Sequence, residues 1–307
     1  MNPATPMPDE VSSAYKGRLR WHNEWPDQLL ATQNLKRALQ AAGTPFEDES
    51  AFFLLAAAAG TPTTEFARLH SLLPTIKLTS DLRAGLPHGQ FENACSARSL
   101  GDSIPISAPQ ICLHCAEEDV GHWGMSWYRR THQLRGVDWC EKHGMELVRV
   151  QSRDPFWLTP YIQVQSRSTV WVGAHCKHLQ QASDFVTRYL ALLSMSLLLA
   201  APASAQTVNA RLAKQAQRTG VPLDEPHALS LRIQEQAPDA WLMRHFPELR
   251  AEIHDYRTTP VDRLLTHQHY APDGHYTLLA MAALYEDPDT AMREVFSLKK
   301  LTQHSPA

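Results

Sequence analysis

Four residues in two pairs constrain this chain more than any other feature: Cys112-Leu-His-Cys115 and Cys140-Glu-Lys-His143. In each pair two residues intervene, so one tight turn can present both side chains to a single ion, and two such turns close a tetrahedron. Twenty-four residues lie between Cys115 and Cys140, more than in the shortest ribbons of this kind. The paired spacing makes Cys112, Cys115, Cys140 and His143 the candidate metal ligands and zinc the expected ion. A closed four-ligand shell leaves no position for water, so the expected role is structural.

Nothing nearby assembles into a reaction centre. His114, Glu117 and Glu118 flank the first pair and could in principle offer chemistry. A zinc deaminase needs His-x-Glu ahead of Pro-Cys-x-x-Cys. Here Gln110 and Ile111 precede Cys112, and the one upstream His-x-Glu is His22-Asn23-Glu24, far away in the N-terminal segment. His-Glu-x-x-His, phosphate-loop and dinucleotide glycine motifs are absent. The chain reads as a non-enzyme.

Composition narrows the class. The 307 residues carry a net charge of −3, which excludes a surface that is cationic throughout. The charge is uneven. Residues 160–220 hold six Lys and Arg against one acid, Asp184, whereas residues 221–307 hold eight against thirteen acids. The five cysteines are an odd number and do not read as a disulfide framework. The start, MNPATPMPDE, lacks a basic and apolar export signal. The run LALLSMSLLLAAPASA (190–205) imitates one, but it is internal, too short to span a bilayer and interrupted by Pro202, and reads as a buried helix. These features predict reducing cytoplasm and no membrane association.

The expected fold is mainly α with a small zinc ribbon. Residues 1–49 read as a polar arm and one amphipathic helix, Gln28 to Ala42, with Trp21 and Trp25 free to dock on the body or to meet a partner. Residues 50–108 open with a helix over Phe52–Ala59, then Gly60, then a second helix from Thr63 or Thr64 with a hydroxyl cap and with Phe66 and Leu69 turned inward. Ala56 four residues before Gly60 gives the small contact and left-handed turn of a helix-turn-helix. The second helix either enters a DNA groove, with Arg68 and His70 as its readers, or is half of an ordinary helical hairpin. Residues 109–183 form the zinc-ribbon region, and its segment YIQVQSRSTVWVG (161–173) alternates like a strand. Residues 184–307 read as a C-terminal helical domain, with helices near 185–200, 208–218, 227–235, 239–246, 261–266, 276–285 and 290–298. Its apolar stripe of Leu278, Leu279, Met281 and Leu284 is a candidate homodimer surface.

Between the ligand pairs, Trp123, Trp127, Tyr128 and Trp139 are expected to form the module's own hydrophobic core, since a metal module has little else to bury. Arg129 and Arg130 are adjacent, so they do not both point inward. One is expected to meet phosphate or an acidic partner, and the other to pair with Glu118 or Asp119. His132 reads as a core group or as a hydrogen-bond donor behind the ligands. His175, Cys176 and His178 make a second knot, degenerate or completed by spare candidates such as His267, His269 and Cys95.

The order of this block is Cys-x-x-Cys-Ala-Glu-Glu-Asp, a Gly, Trp-Tyr-Arg-Arg-x-His-Gln-Leu-x-Gly-Val, then Cys-x-x-His-Gly. It closely resembles the TniQ/TnsD family of bacterial transposition proteins. Cys112, Cys115, Glu118, Asp119, Arg129, Arg130, His132, Gln133, Leu134, Gly136, Val137, Cys140, His143, Gly144 and Leu147 carry the match. Leu113, Arg135 and the order Trp127-Tyr128 depart from the family pattern and leave the ligands intact. The resemblance implies a non-enzymatic role in choosing the insertion target. Some members bind an attachment site in DNA directly. Others join an RNA-guided CRISPR effector complex with its guide RNA, and both kinds recruit a AAA+ ATPase regulator (TnsC-like) that brings in the transposase. CRISPR-linked members form homodimers. Direct binders are longer and need a basic face, which only the middle segment offers here. An adaptor is therefore favoured over an autonomous site binder or a transcription regulator built on the same parts. Candidate contacts with nucleic acid or partner are Arg68, Arg129, Arg130, Arg167, Lys177, Arg211, Lys214 and Arg218.

Overall fold

The chain passes from one structural unit into another at residue 75, returns at 87, and leaves again at 178. The computed structural model describes residues 4–46, 49–82, 84–90, 106, 108–167, 169–171, 183–250 and 259–297. Unit 1 comprises residues 1–74 and 87–177, and unit 2 comprises 75–86 and 178–307.

Unit 1 begins with four helices: α1 (Ser12–His22), α2 (Ala31–Ala41), α3 (Ala51–Ala59) and α4 (Thr63–His70). In α2 the buried residues Ala31, Leu35 and Leu39 recur every four positions, the spacing of one helical face. Helix α3 ends on Gly60 at φ 65°, the left-handed residue that turns the chain into α4. Phe52 and Phe66 meet edge to face across this turn at 5.4 Å, and Tyr15 of α1 joins them at 6.0 Å from Phe66. The expected helix-turn-helix shape is present, with two local corrections. Pro62, not a threonine hydroxyl, precedes α4, and Ala67 and His70 turn inward with Phe66 while Leu69 stays half-buried. Helix α1 was not expected. Its inward face is polar as well as apolar, because Arg18 and Arg20 are buried as ion pairs, so no apolar stripe announces it.

The rest of unit 1 holds two small sheets. Strands β1 (Gln110–Ile111), β4 (Val148–Val150) and β5 (Thr169–Trp171) form an antiparallel sheet in the order β1-β4-β5, with Ile111 opposite Val148 and Val150 opposite Thr169. Strands β2 (Trp139–Cys140) and β3 (Met145–Glu146) form a hairpin. Between β1 and β2 run α6 (Leu113–Trp123) and a 3-10 turn (Arg130–Gln133), following the short α5 (Leu73–Ile76) at the crossing into unit 2. The alternating segment at 161–173 is not one strand. Its first part belongs to α7 (Pro160–Gln165), started by Thr159 with Pro160 in the first turn, where a missing N–H costs nothing. Strand pairing begins only at Thr169.

The described part of unit 2 is built mainly from helices: α8 (Asp184–Ser196), α9 (Ala205–Arg218), α10 (Ala228–Gln236), α11 (Asp239–His245), α12 (Pro260–Thr266), α13 (Gly274–Leu284) and α14 (Pro288–Phe296). Every residue of α13 except Tyr276 is buried, so the helix is enclosed on nearly all sides, and α8, α9, α10, α12 and α14 pack about it. Leu278, Leu279, Met281 and Leu284 lie inside this core and offer no surface to a second chain. The signal-like run forms the end of α8 and a turn to Pro202. No helix among the described residues is long and apolar enough to cross a membrane.

The 75–86 segment is part of this core. Leu78 is fully buried, its carbonyl accepts from Ala203 N at 2.9 Å, and Ser80 N donates to Ala203 O at 2.9 Å. Asp81 Oδ1 accepts from Gln206 N at 3.2 Å at the start of α9. A Cβ at Gly274 would stand 1.9 Å from the carbonyl oxygen of Thr75, so only glycine lets the strap lie against α13.

Candidate metal centre

The first cysteine pair sits at the start of a helix rather than in a free knuckle. Cys112 precedes α6 and Cys115 is its third residue, so the spacing of three brings both sulfurs to one side of the first turn. The second pair sits on the hairpin. Cys140 ends β2, and Gly144 at φ 58° closes the turn by donating its N–H to Cys140 O at 2.9 Å, which places His143 beneath the sulfurs. Buried Leu147 and half-buried Val137 pack beside the three cysteines.

The four ligand atoms lie within 4.8 Å of one another. His143 Nδ1 is 3.5, 3.3 and 3.6 Å from the sulfurs of Cys112, Cys115 and Cys140, and Cys115 Sγ is 3.7 Å from Cys140 Sγ. Tetrahedral zinc with bonds of about 2.3 Å to sulfur and 2.0–2.1 Å to nitrogen requires edges of about 3.8 Å between sulfurs and about 3.6 Å from sulfur to nitrogen. The observed edges fit a single ion of that size. Three buried thiols within this space repel one another as thiolates, and all three ionise together only around a positive charge.

Groups behind the ligands aim them. His143 Nε2 lies 3.0 Å from Glu118 Oε1, a carboxylate that orients the ring with Nδ1 toward the sulfurs. The Glu118 carboxyl is held down to about 2 by Lys142 and then by His143. His132, read from the sequence as a core group or a donor behind the ligands, is buried in the 3-10 turn. The aromatic core differs from expectation. Trp127 and Tyr128 are buried, but Trp123 is 55% exposed, because α6 carries it past the module. Trp127 Nε1 donates to Pro8 O at 2.8 Å, and the Tyr128 hydroxyl donates to Pro155 O at 2.6 Å.

The adjacent arginines do separate, yet both are held within unit 1. Arg129 Nη2 pairs with Asp119 Oδ1 at 2.5 Å, one turn along α6 from Cys115, and its guanidinium lies over Trp127. Arg130 is buried. Its Nε pairs with Asp9 Oδ1 at 3.1 Å, and its Nη1 donates to the carbonyls of Arg68 and Ser71 at the end of α4. Arg130 therefore caps α4, where carbonyls lack helical partners and a cation is favoured. Asp9 also accepts from the Thr131 N–H and hydroxyl. The start of the chain is thus stitched between the metal module and the helix-turn-helix, a contact more than 120 residues long in sequence that no local signal could reveal.

Other candidate contacts are dispersed. Arg211 donates to Val295 O at 2.9 Å and Arg218 lies 3.7 Å from Glu294. Arg68 is half-buried, while Arg167 and Lys214 stand exposed, the first in unit 1 and the second in unit 2. Lys177, and the second knot of His175, Cys176 and His178 with its spare candidate Cys95, lie outside the described residues. His267 bonds Thr266 Oγ1 at 2.8 Å and His269 bonds Asp81 at 2.5 Å, both within unit 2.

Compared with protein-family models, residues 3–147 match TniQ. These residues form a TniQ domain. The match spans α1 to α4, the metal cluster and the arginine clamp, and ends at Leu147 behind the second ligand pair. No curated protein matches the chain. A TniQ domain implies a transposition-associated, DNA-binding adaptor role. The metal cluster and the helix-turn-helix are parts of one TniQ domain, joined by Asp9 and Arg130.

Proposed function

We propose that this protein is a target-selection adaptor that joins a targeting complex to a AAA+ ATPase regulator and its transposase, and that it neither catalyses a step nor finds its site alone. An RNA-guided CRISPR effector is one candidate for the targeting complex, and the compartment in this reading is the cytoplasm. The observation that carries the reading is the fate of the cations. Arg129, Arg130, Arg211 and Arg218 each face a carboxylate or backbone carbonyl of their own unit. Arg188, also in the basic middle segment, donates to Ala282 O and to Gln236. Arg167 and Lys214 remain exposed on different units. A tight binder of naked duplex needs several cations converging on phosphates. Self-association in this proposal uses exposed Leu198, Leu231 or Met243 of unit 2, since the α13 stripe is buried.

Fluorescence anisotropy on duplex DNA across salt concentrations tests the choice. Two or three phosphate contacts predict a log–log salt slope of about −2 to −3 and little sequence preference. The ATPase and the targeting complex of the same element should bind more tightly than DNA does. Tight, salt-tolerant binding to one sequence without partners would replace the adaptor with an autonomous site binder or regulator.

A further inference from the structure

Two fully enclosed glutamines of unit 1 grip one another. Gln133 ends the 3-10 turn and Gln110 opens β1, and neither has any exposed surface. The Gln133 carboxamide meets the Gln110 backbone as a neighbouring strand would. Its Oε1 accepts from Gln110 N at 3.0 Å, and its Nε2 donates to Gln110 O at 2.8 Å and to Arg129 O at 3.0 Å. Strand β1 lies at the edge of its sheet with β4 on its other side. Without this side chain the Gln110 N–H and carbonyl would be buried and unpaired.

The grip is reciprocal. With its amide nitrogen directed at them, the Gln110 side chain donates to His132 O at 3.0 Å and to Val137 O at 2.8 Å. These bonds hold the chain on its way into both ligand pairs. Cys112 follows Gln110 by two residues, and Ile111 between them is paired with Val148 of β4. Cys140 follows Val137 by three, and Val137 packs beside the three cysteines. One ligand pair sits at a helix start and the other on a hairpin, and the amide network spans from one to the other.

The residue type matters here. A carboxamide carries a donor and an acceptor side by side, as a peptide group does, so it can serve the N–H and the carbonyl of one residue together. Glutamate lacks the donor, methionine lacks both groups, and asparagine is one methylene shorter. Groups that hold metal ligands from behind cost about 10–100-fold in metal affinity when removed. We propose that Gln133, working with Gln110, is a positioning residue that sets the two ligand pairs at the separation a single zinc requires. The proposal rests on the metal-centre reading and adds to it two residues outside the ligand set.

The test uses the full chain with Gln133→Met and, separately, Gln110→Met, which keep an unbranched side chain but remove the amide. Leu39→Ala in α2 is the control, a buried core position whose truncation lowers the stability of unit 1 without touching the network. Zinc affinity is measured by chelator competition, and the visible absorption of the cobalt-substituted protein reports the shape of the ligand set. Both glutamine variants should bind zinc about tenfold more weakly or worse at unchanged stoichiometry. Their cobalt d–d bands should shift or weaken, because the ligand tetrahedron is no longer held to one shape, while Leu39→Ala keeps the wild-type spectrum. Wild-type affinity and spectra in both glutamine variants would overturn the proposal. So would changes of the same size in Leu39→Ala, which would mark a general loss of stability. If the variants do not fold, hydrogen exchange in the wild-type chain decides: the Gln110 N–H should be among the most protected amides of unit 1, and exchange as fast as in an exposed loop would show that the grip is absent. A wild-type chain that holds no zinc would remove the metal-centre reading itself, and this proposal with it.

Discussion

Replacing Arg130 by alanine removes a side chain that reaches from the metal module to the end of α4. Arg130 is buried, and it makes hydrogen bonds to Arg68 O, Ser71 O and Asp9 Oδ1. A hydrogen bond to a charged group contributes about 1.5–3 kcal/mol. The three do not add, because Asp9 is partly exposed and keeps its bonds from Thr131, so part of the loss is repaid by water. The two helix-end carbonyls have less access to solvent and lose their donor. The expected cost is about 3 kcal/mol in the unfolding of unit 1. Arg130→Lys keeps the charge but not the fork that spans two carbonyls and Asp9, and should cost about half as much. Urea unfolding followed by tryptophan fluorescence gives the energies, and hydrogen exchange over residues 66–73 locates them. Zinc content should be unchanged. A cost below about 0.5 kcal/mol, the range of neutral surface substitutions, would refute the claim that Arg130 fastens α4 to the metal module.

Other expectations are direct. Purified without chelator, the protein should contain one zinc per chain, and Cys140→Ser should lower metal content and expose residues 111–150 to protease. Unaltered metal and protease resistance would remove Cys140 from the ligand set. Glu118→Gln should weaken zinc affinity by about 10–100-fold in a chelator competition, as loss of a ligand-orienting group does, with no change in stoichiometry. Burial pushes His88 down to about 4, so the unfolded chain gains a proton below its ordinary value near 6.5 while the folded chain does not. Stability should therefore fall as pH drops from 6.5 to 4, by up to about 3 kcal/mol from this group. In His88→Leu that part of the slope should vanish, leaving the smaller share from His70, which burial also lowers. Gly274→Ala should destabilise unit 2 by several kcal/mol, since its Cβ would meet the Thr75 carbonyl at 1.9 Å. A melting temperature like wild type would show that the strap moves aside.

The sequence alone determined what depends on short spacing. The two ligand pairs, the glycine turn of the helix-turn-helix and the helices of unit 2 were legible because each is set by residues within a few positions of one another. Periodic apolar residues and a cap or glycine suffice for such elements. The tertiary structure decided what depends on distant partners. Cys112 and Cys115 proved to open a helix, and Trp123 proved to face outward, because α6 packs against α7. The buried, charged face of α1 has no apolar stripe, since its arginines are matched by Glu10 and Asp154 only in the fold. Asp9 with Arg130 and Leu78 with Ala203 are separated by more than a hundred residues, and the strap at 75–86 read as loop from its own composition. Long-range pairs of this kind leave no periodicity in the chain. Desolvation selects them as each unit folds, so only the folded structure shows that Arg130 clamps the end of α4 while Arg129 pairs with Asp119.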